Sequence, residues 1–427
     1  MKINQLHELF LKSNGVSTDT RNIEAGTIFF ALKGKNFNAN SFAQKALDLG
    51  AQYSVIDKDS LKKNDRFILV EDVLETLQLL ANFHRKYLKI PILAITGSNG
   101  KTTSKELINS VLSKQFRTSA TKGNLNNHIG VPLTLLKMDH SIDFGIVEMG
   151  ANHLEEIKEL CKIAEPNYGY ITNFGKAHLE GFGSLQGVIK GKSELYDYLI
   201  STNGLIFINA DDSKQIKQIK DYNNIFKFSK SKSSGLEISI NAEKPFLKIN
   251  FLGKQIESQL IGSYNFSNIS AAIAIGSYFK LDFLKIKKGI ESYKPKNNRS
   301  QIIMKKSNKI IMDAYNANPT SMNAALENFS LMKGDHKVVI LGDMFELGDQ
   351  SFNEHKAIID LINSLNFSSV YYVGQHFVKH KYISKKVFFF ENTNLLQRHL
   401  QLLPINNSLI LVKGSRGMSL EVLLQYF

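Results

Sequence analysis

The stretch Ile92-Leu93-Ala94-Ile95-Thr96-Gly97-Ser98-Asn99-Gly100-Lys101-Thr102-Thr103 decides how the rest of this chain is read. Its first five residues form an apolar run of strand length, the pattern of a strand buried in a parallel sheet. A helix is expected after it, with an apolar face made by Leu107, Ile108, Val111 and Leu112. A glycine-bearing turn between such a strand and helix aims backbone N–H groups and the helix dipole at phosphate oxygens. Gly97, Ser98, Asn99, Gly100, Lys101, Thr102 and Thr103 are therefore the candidate nucleotide-binding positions. Lys101 would neutralise the β- and γ-phosphates, and the Thr102 hydroxyl would ligate Mg²⁺. The spacing departs from the ordinary phosphate loop, because Ile95 stands where its first glycine is expected.

A loop of this kind serves kinases, motors, switches and ligases alike, so carboxylates and histidines must choose between them. Residues 143–149 read as a strand with Glu148 at its C-terminal end, where ligands bind in open α/β sheets. That is a sensible place for a carboxylate that holds Mg²⁺. The next strand, 168–172, runs into Asn173-Phe174-Gly175-Lys176-Ala177-His178, which puts His178 at the same sheet edge. A lone histidine is more often structural, but two such residues at adjacent strand ends beside a phosphate loop favour a functional reading.

The strand–helix alternation continues over most of the 427 residues and predicts an α/β protein with largely parallel sheets. Strands at 27–32 and 53–56 flank a helix at 41–49. An amphipathic helix at 73–87 carries Leu74, Leu77, Leu80, Ala81 and His84 on one side. Pro91 cannot continue that helix. The polar run Tyr293-Lys294-Pro295-Lys296-Asn297-Asn298 reads as a linker, after which strands are expected at 309–313, 337–341, 370–373 and 409–412. Three domains follow: 1–88, 89–296 and 297–427.

Lys and Arg number 53 against 39 Asp and Glu, a net charge of +14. Nucleic acids or anionic nucleotides are the partners such a charge suggests. The lysines are scattered, as at Lys214, Lys217 and Lys220, with no basic–aromatic stripe, so nucleic acid is disfavoured. No apolar run approaches the ~18 residues of a membrane span, and the N-terminus lacks a signal-peptide core. The single cysteine, Cys161, excludes an internal disulfide and fits a reducing cytoplasm.

The blocks 96–103, Glu148-Met149-Gly150-Ala151-Asn152-His153, 173–183 and Asp313-Ala314-Tyr315-Asn316-Ala317-Asn318-Pro319 together resemble the Mur ligases, the ATP-dependent amide-forming enzymes of peptidoglycan precursor assembly. The resemblance runs from Ser17 to Gly417. It implies a small UDP-substrate domain, a central phosphate-loop ATPase and a C-terminal Rossmann-like domain. Four stretches, 121–127, 177–184, 341–348 and 413–417, resemble the branch that adds D-alanyl-D-alanine to UDP-N-acetylmuramoyl-tripeptide. The Asp-Asn-Pro-Arg motif usual in the diamino-acid-adding branch is absent.

The resemblance also implies roles. Lys101, Glu148, His178 and Lys192 would be catalytic, with Thr102, Glu148, His178 and Lys192 around two Mg²⁺ ions. Lys192 matches a lysine that several family members carboxylate. Asn268 fits the adenine-side asparagine, although Tyr264 stands where the family usually has histidine. Arg299, Asp313 and Asn316 would reach the ribose and phosphates of ATP. Ser17, Thr18 and Arg21 resemble UDP-binding positions, and Thr121, Asn124, Asn126 and Asn127 suit the muramoyl-peptide. Lys413 or Arg416 would pair with the dipeptide carboxylate. The expected enzyme is a monomer. A sibling ligase using a single amino acid, a folate-type polyglutamate ligase and a nucleic-acid-linked ATPase remain the alternatives.

Overall fold

Three parallel-rich sheets succeed one another along the chain in the computed structural model, which describes residues 1–242 and 246–427. The first sheet has the strand order Val16–Ser17, Ile28–Phe30, Tyr53–Ile56, Phe67–Leu69, all parallel. The helix Val73–Leu88 leaves it, capped by Asp72, whose carboxylate accepts from Glu75 N at 2.7 Å. Lys89 ends that helix in the left-handed conformation (φ 56°), immediately before Ile90 and Pro91. The helix packs against Gly130–Leu135 and Glu156–Ala164, so its apolar stripe joins the first sheet to the second.

The second sheet is nine-stranded. Its strand Ile92–Thr96 lies between Phe144–Glu148 and Tyr168–Ile171, parallel to both, with Thr118–Ala120 at one edge. The chain goes to one side of Ile92–Thr96 and then returns to the other. The crevice at that reversal, at the C-terminal strand ends, is where open α/β sheets bind ligands. On the far side the sheet continues through Leu205–Asn209, Ile225–Ser229 and Leu236–Ala242, then turns antiparallel at Lys248–Phe251 and Lys254–Glu257. The helix Phe266–Tyr278 is buried nearly all round and lies on the phosphate-loop helix Lys101–Leu112. Gly289 allows Phe283–Ser292 to join them, since a Cβ there would stand 2.6 Å from Val111 Cα.

Residues 293–300 carry no helix or strand, and Asn297 and Asn298 both have φ of 57°. The third sheet has the order Gln301–Lys305, Asn308–Asp313, Leu409–Lys413, Lys337–Gly342, Ser369–Val373, Val387–Phe390, with only its first pair antiparallel.

Expected and observed elements differ mainly at their ends. The strand expected at 27–32 shortens to Ile28–Phe30, because Leu32 N turns back to Phe30 O. The helix expected at 41–49 begins as a 3₁₀ turn, Ala39–Phe42, before Ala43–Asp48. No helix among the described residues is long and apolar enough to cross a membrane.

Candidate active site

The turn 97–100 owes its shape to two glycines. Gly97 has φ of 135°, and a Cβ there would meet Thr172 Oγ1 at 2.1 Å; at Gly100 (φ 78°) it would meet Asn268 Oδ1 at 2.5 Å. Neither position tolerates a side chain. The neighbouring strand end secures the turn: Ser98 N donates to Asn173 O (3.0 Å), Ser98 Oγ to Gly175 O (3.0 Å), and Thr172 Oγ1 to Asn99 O (2.6 Å). Lys101 Nζ donates back to Gly97 O at 2.8 Å. Burial pulls the Lys101 ammonium below its ordinary range, while the charges of Glu148 and Glu346 oppose that shift.

Glu148 ends its strand 2% exposed. Its backbone N–H donates to Thr121 Oγ1 at 2.9 Å, which fixes the strand end. Its carboxylate accepts from Thr102 Oγ1 at 2.9 Å and from Asn126 Nδ2 at 2.9 Å. Lys105, one helical turn beyond Lys101, is fully buried; its Nζ donates to Thr121 O at 2.5 Å and lies 4.0 Å from Glu148 Oε2.

A cleft of about 1050 Å³ opens over this edge. It brings together Ser98, Asn99, Gly100, Lys101, Thr102, Thr103, Asn126, Asn127, Glu148, His178 and Asn268 from the central sheet and its helices. Arg299 from the segment before the third sheet, Asp313 and Lys413 from its strand ends, and Asn316 from the loop after Asp313 face them. Asn268 Oδ1 accepts from Ser104 Oγ at 2.9 Å, and Asn268 Nδ2 donates to Asn265 Oδ1 at 2.9 Å. Arg299 lies over the Tyr315 ring, 3.8 Å from its centroid. Tyr264 OH and Ser300 Oγ are 3.0 Å apart, and burial raises the tyrosine's pKa. Asn99 Nδ2 is buried without a partner at this site, a donor left over for a bound acceptor.

Residues 95–276 match the Mur ligase middle domain and residues 298–416 match the Mur ligase, glutamate ligase domain. The UDP-N-acetylmuramoyl-tripeptide–D-alanyl-D-alanine ligase of Bacillus subtilis (strain 168) is 34% identical, over 96% of this chain and 92% of that protein. The chain belongs to the Mur ligase family. The ligase of the same name from Buchnera aphidicola subsp. Baizongia pistaciae (strain Bp) is 36% identical over 98% of this chain and 93% of its own length. Among solved structures, MurF from Acinetobacter baumannii superposes with a TM-score of 0.86 at 29% identity, covering 99% of this chain and 98% of that one. MurF from Thermotoga maritima in complex with ADP gives 0.85 at 26%, covering 100% and 98%. As a Mur ligase the chain is an ATP-dependent amide ligase.

Other candidate residues of this Mur ligase stand outside the cleft lining. Lys192 is fully buried behind it, with Nζ donating to Ala151 O at 2.7 Å; burial, then the Lys101 charge, push its pKa far down. Thr121 is buried, with its hydroxyl and carbonyl taken by Glu148 and Lys105. Asn124 is exposed. Ser17 Oγ donates to Asp19 O at 3.1 Å, Thr18 is half-buried, and Arg21 pairs with Asp19 at 2.6 Å in the open. Arg416 pairs with Glu421 at 2.6 Å. Lys413, by contrast, lines the cleft; almost fully buried, it reaches Asp313 at 2.6 Å, a tie between adjacent strand ends of the third sheet.

Residues around the cleft that reading the sequence missed include Lys105, Asn318 and Glu346. Asn318 Nδ2 donates to Asn99 Oδ1 at 2.7 Å, and Glu346 Oε2 lies 2.7 Å from His178 Nδ1. Both contacts join the third sheet to the second. The motifs containing Asn318 and Glu346 were visible, but nothing local says which loop each one meets.

Proposed function

We propose that this Mur ligase joins D-alanyl-D-alanine to UDP-N-acetylmuramoyl-tripeptide, converting ATP to ADP and phosphate through an acyl phosphate. Near-full-length identity to ligases of that name supports the choice of substrates. The observation that carries the reading is the single cleft uniting the phosphate loop, Glu148 and His178 with Arg299, Asp313 and Asn316.

In this reading an oxygen of the tripeptide's terminal carboxylate attacks the γ-phosphorus, forming the acyl C–O–P linkage as the bond to ADP breaks. Two anions must approach, so the positive groups Lys101 and Arg299 and the amide donors of the turn carry much of the catalysis. The dipeptide's free amine then attacks the acyl carbon. The tetrahedral intermediate collapses, phosphate leaves, and the amine gives up its proton. Contacts of the third sheet with Asn99 and His178 close the cleft over this step and exclude water from the acyl phosphate.

Mg²⁺ suits the site. Among the described residues no three His, Cys, Asp or Glu side chains gather into a complete cage. The Thr102 hydroxyl and the Glu148 carboxylate, with the borderline nitrogen of His178, instead offer a sparse donor set, of the kind Mg²⁺ completes with water and phosphate oxygens. Bound there, the ion would offset charge on the phosphates. Lys192 would join the set as a carbamate: burial favours the neutral amine, and addition of CO₂ would form an N–C bond and release one proton.

The remaining assignments follow the same reading. We divide the chain into domains 1–88, 89–296 and 297–427, each holding one main sheet. The first would hold the uridine nucleotide through Ser17, Thr18 and Arg21. Asn124, Asn126 and Asn127 would lie along the path of the muramoyl-peptide, and Thr121, proposed from the sequence with them, would act from beneath by holding Glu148. Arg416, with donors beyond those used by Glu421, and Lys413 are the candidates for the dipeptide carboxylate. The enzyme would work as a cytoplasmic monomer, consistent with a lone, buried, free Cys161.

The test is direct. Incubation with ATP, Mg²⁺, UDP-N-acetylmuramoyl-tripeptide and D-alanyl-D-alanine should yield a product heavier by the dipeptide less one water, seen by mass spectrometry. Ligation of a single amino acid in place of the dipeptide would overturn the assignment.

A further inference from the structure

The loop 343–348 reaches from the third sheet to the second, and we propose that its Glu346 is a positioning residue for His178. When the domains close, Glu346 holds Nδ1 of the imidazole and leaves Nε2 as the lone-pair nitrogen. The inference rests on the ligase reading only in giving His178 a task at the cleft.

The two side chains meet at 2.7 Å, and the backbones meet as well, Glu180 N donating to Glu346 O at 3.1 Å. Both residues adopt left-handed backbone, φ 53° at His178 and 61° at Glu346. Non-glycine residues rarely sit there. At Gly348 a Cβ would stand 3.4 Å from Glu180 Cα, so the two loops are in close contact.

The loop is rigidly mounted on its own domain. The Asp343 carboxylate accepts from His376 N and Phe377 N at 3.0 Å each. Met344 N donates to His355 Nε2 at 3.0 Å, and Phe345 N to Ser415 Oγ at 2.9 Å. Glu346 therefore arrives at His178 with the whole domain, not by a swing of its own side chain.

A neutral imidazole has two tautomers, and an acceptor at one nitrogen selects the proton's position. A carboxylate at Nδ1 selects Nδ1–H. Closure thus completes His178 in the same motion that seals the cleft. A second pair across the same seam, Lys176 to Glu354 at 2.5 Å, does not touch His178 and serves as a control.

The experiment is ¹⁵N NMR of histidine-labelled full-length protein saturated with ADP, above the histidine titration range, with the His178 signal assigned from His178→Gln. The parent and Glu354→Gln should show a protonated Nδ1 and an unprotonated Nε2. Glu346→Ala should populate both tautomers, and Glu346→Gln should restore much of the parent signal. In the ligation assay Glu346→Ala should lower kcat by roughly 10–100-fold, the range for lost partners of metal-binding histidines, with KM for the dipeptide little changed. An unchanged tautomer in Glu346→Ala would overturn the proposal. So would an equal shift in Glu354→Gln, which would assign the effect to closure alone. A protein whose tautomer responds as expected but which ligates no dipeptide leaves the positioning role standing and removes the substrate assignment.

Discussion

Thr102 Oγ1 donates to Glu148 Oε2 at 2.9 Å, so the phosphate-loop hydroxyl and the strand-end carboxylate already touch. With Asn126 Nδ2 on the other oxygen, protein donors on both sides fix the orientation of the carboxylate. Such preorganisation lowers the cost of assembling charge around a triphosphate.

Glu148→Gln preserves the shape of this arrangement and removes its charge. We expect kcat to fall on the order of 10²-fold, with a higher Mg²⁺ concentration needed for half-maximal rate. Steady-state ADP release across a Mg²⁺ titration measures both. Parent-like rates at low Mg²⁺ would remove Glu148 from the metal site.

Lys192 is a buried amine that donates to Ala151 O and lies 5.0 Å from the Phe182 ring centroid. Burial and the neighbouring Lys101 charge favour its neutral form, the form that adds CO₂. Lys192→Ala should lose roughly 10–100-fold in turnover. Acetate or formate, filling the vacated space with a carboxylate, should recover part of it. A variant that short acids leave unchanged would mark Lys192 as an ordinary buried lysine.

What the sequence made legible was local. The strand Ile92–Thr96, the turn after it and the helix with Leu107, Ile108 and Val111 form one uninterrupted signal, and Glu148 and His178 follow from strand-end placement. The antiparallel edge was not legible: Lys248–Phe251 alternates polar and apolar residues over only four positions. Lys105 was missed because a lysine within a helix ordinarily faces solvent; its burial depends on Thr121, which the chain supplies after the helix has ended. Asn318 and Glu346 needed the closed arrangement of two sheets, which no short-range pattern encodes.

His7 and His84 tie the first helix to the rest: His7 Nε2 and His84 Nδ1 are 3.0 Å apart, and His84 Nε2 lies 2.8 Å from Met138 O. Burial, then the His84 charge, lower the His7 pKa to about 4 from 6.5, and burial lowers that of His84. Between those values the unfolded chain binds more protons than the folded one. This contribution to stability is therefore complete above 6.5 and lost as pH falls toward 4. His355, also lowered to about 4 by burial, acts in the same direction. The melting temperature should drop through this window, and less steeply in His7→Phe. An identical slope in that variant would remove His7 from the acid response.

Lys105 offers the sharpest test of how the cleft floor is held. Its ammonium donates to Thr121 O at 2.5 Å and pairs with Glu106 at 2.8 Å, while the hydroxyl of the same threonine receives Glu148 N. Lys105→Met fills similar volume but leaves the Thr121 carbonyl without its donor and Glu148 without its nearest buried cation. An unsatisfied buried acceptor costs about 1–3 kcal/mol, and removal of one partner of a buried charge pair about 3–5 kcal/mol. Glu106 is partly exposed and regains water, and Glu148 keeps its Thr102 and Asn126 donors, so the lower figure governs, and we expect a loss of ~2 kcal/mol by urea denaturation. Lys105→Arg should not restore stability, because a planar fork cannot replace a compact ammonium in a site with no room. A Met variant as stable as the parent would show that Thr121 and Glu148 hold their places without the lysine.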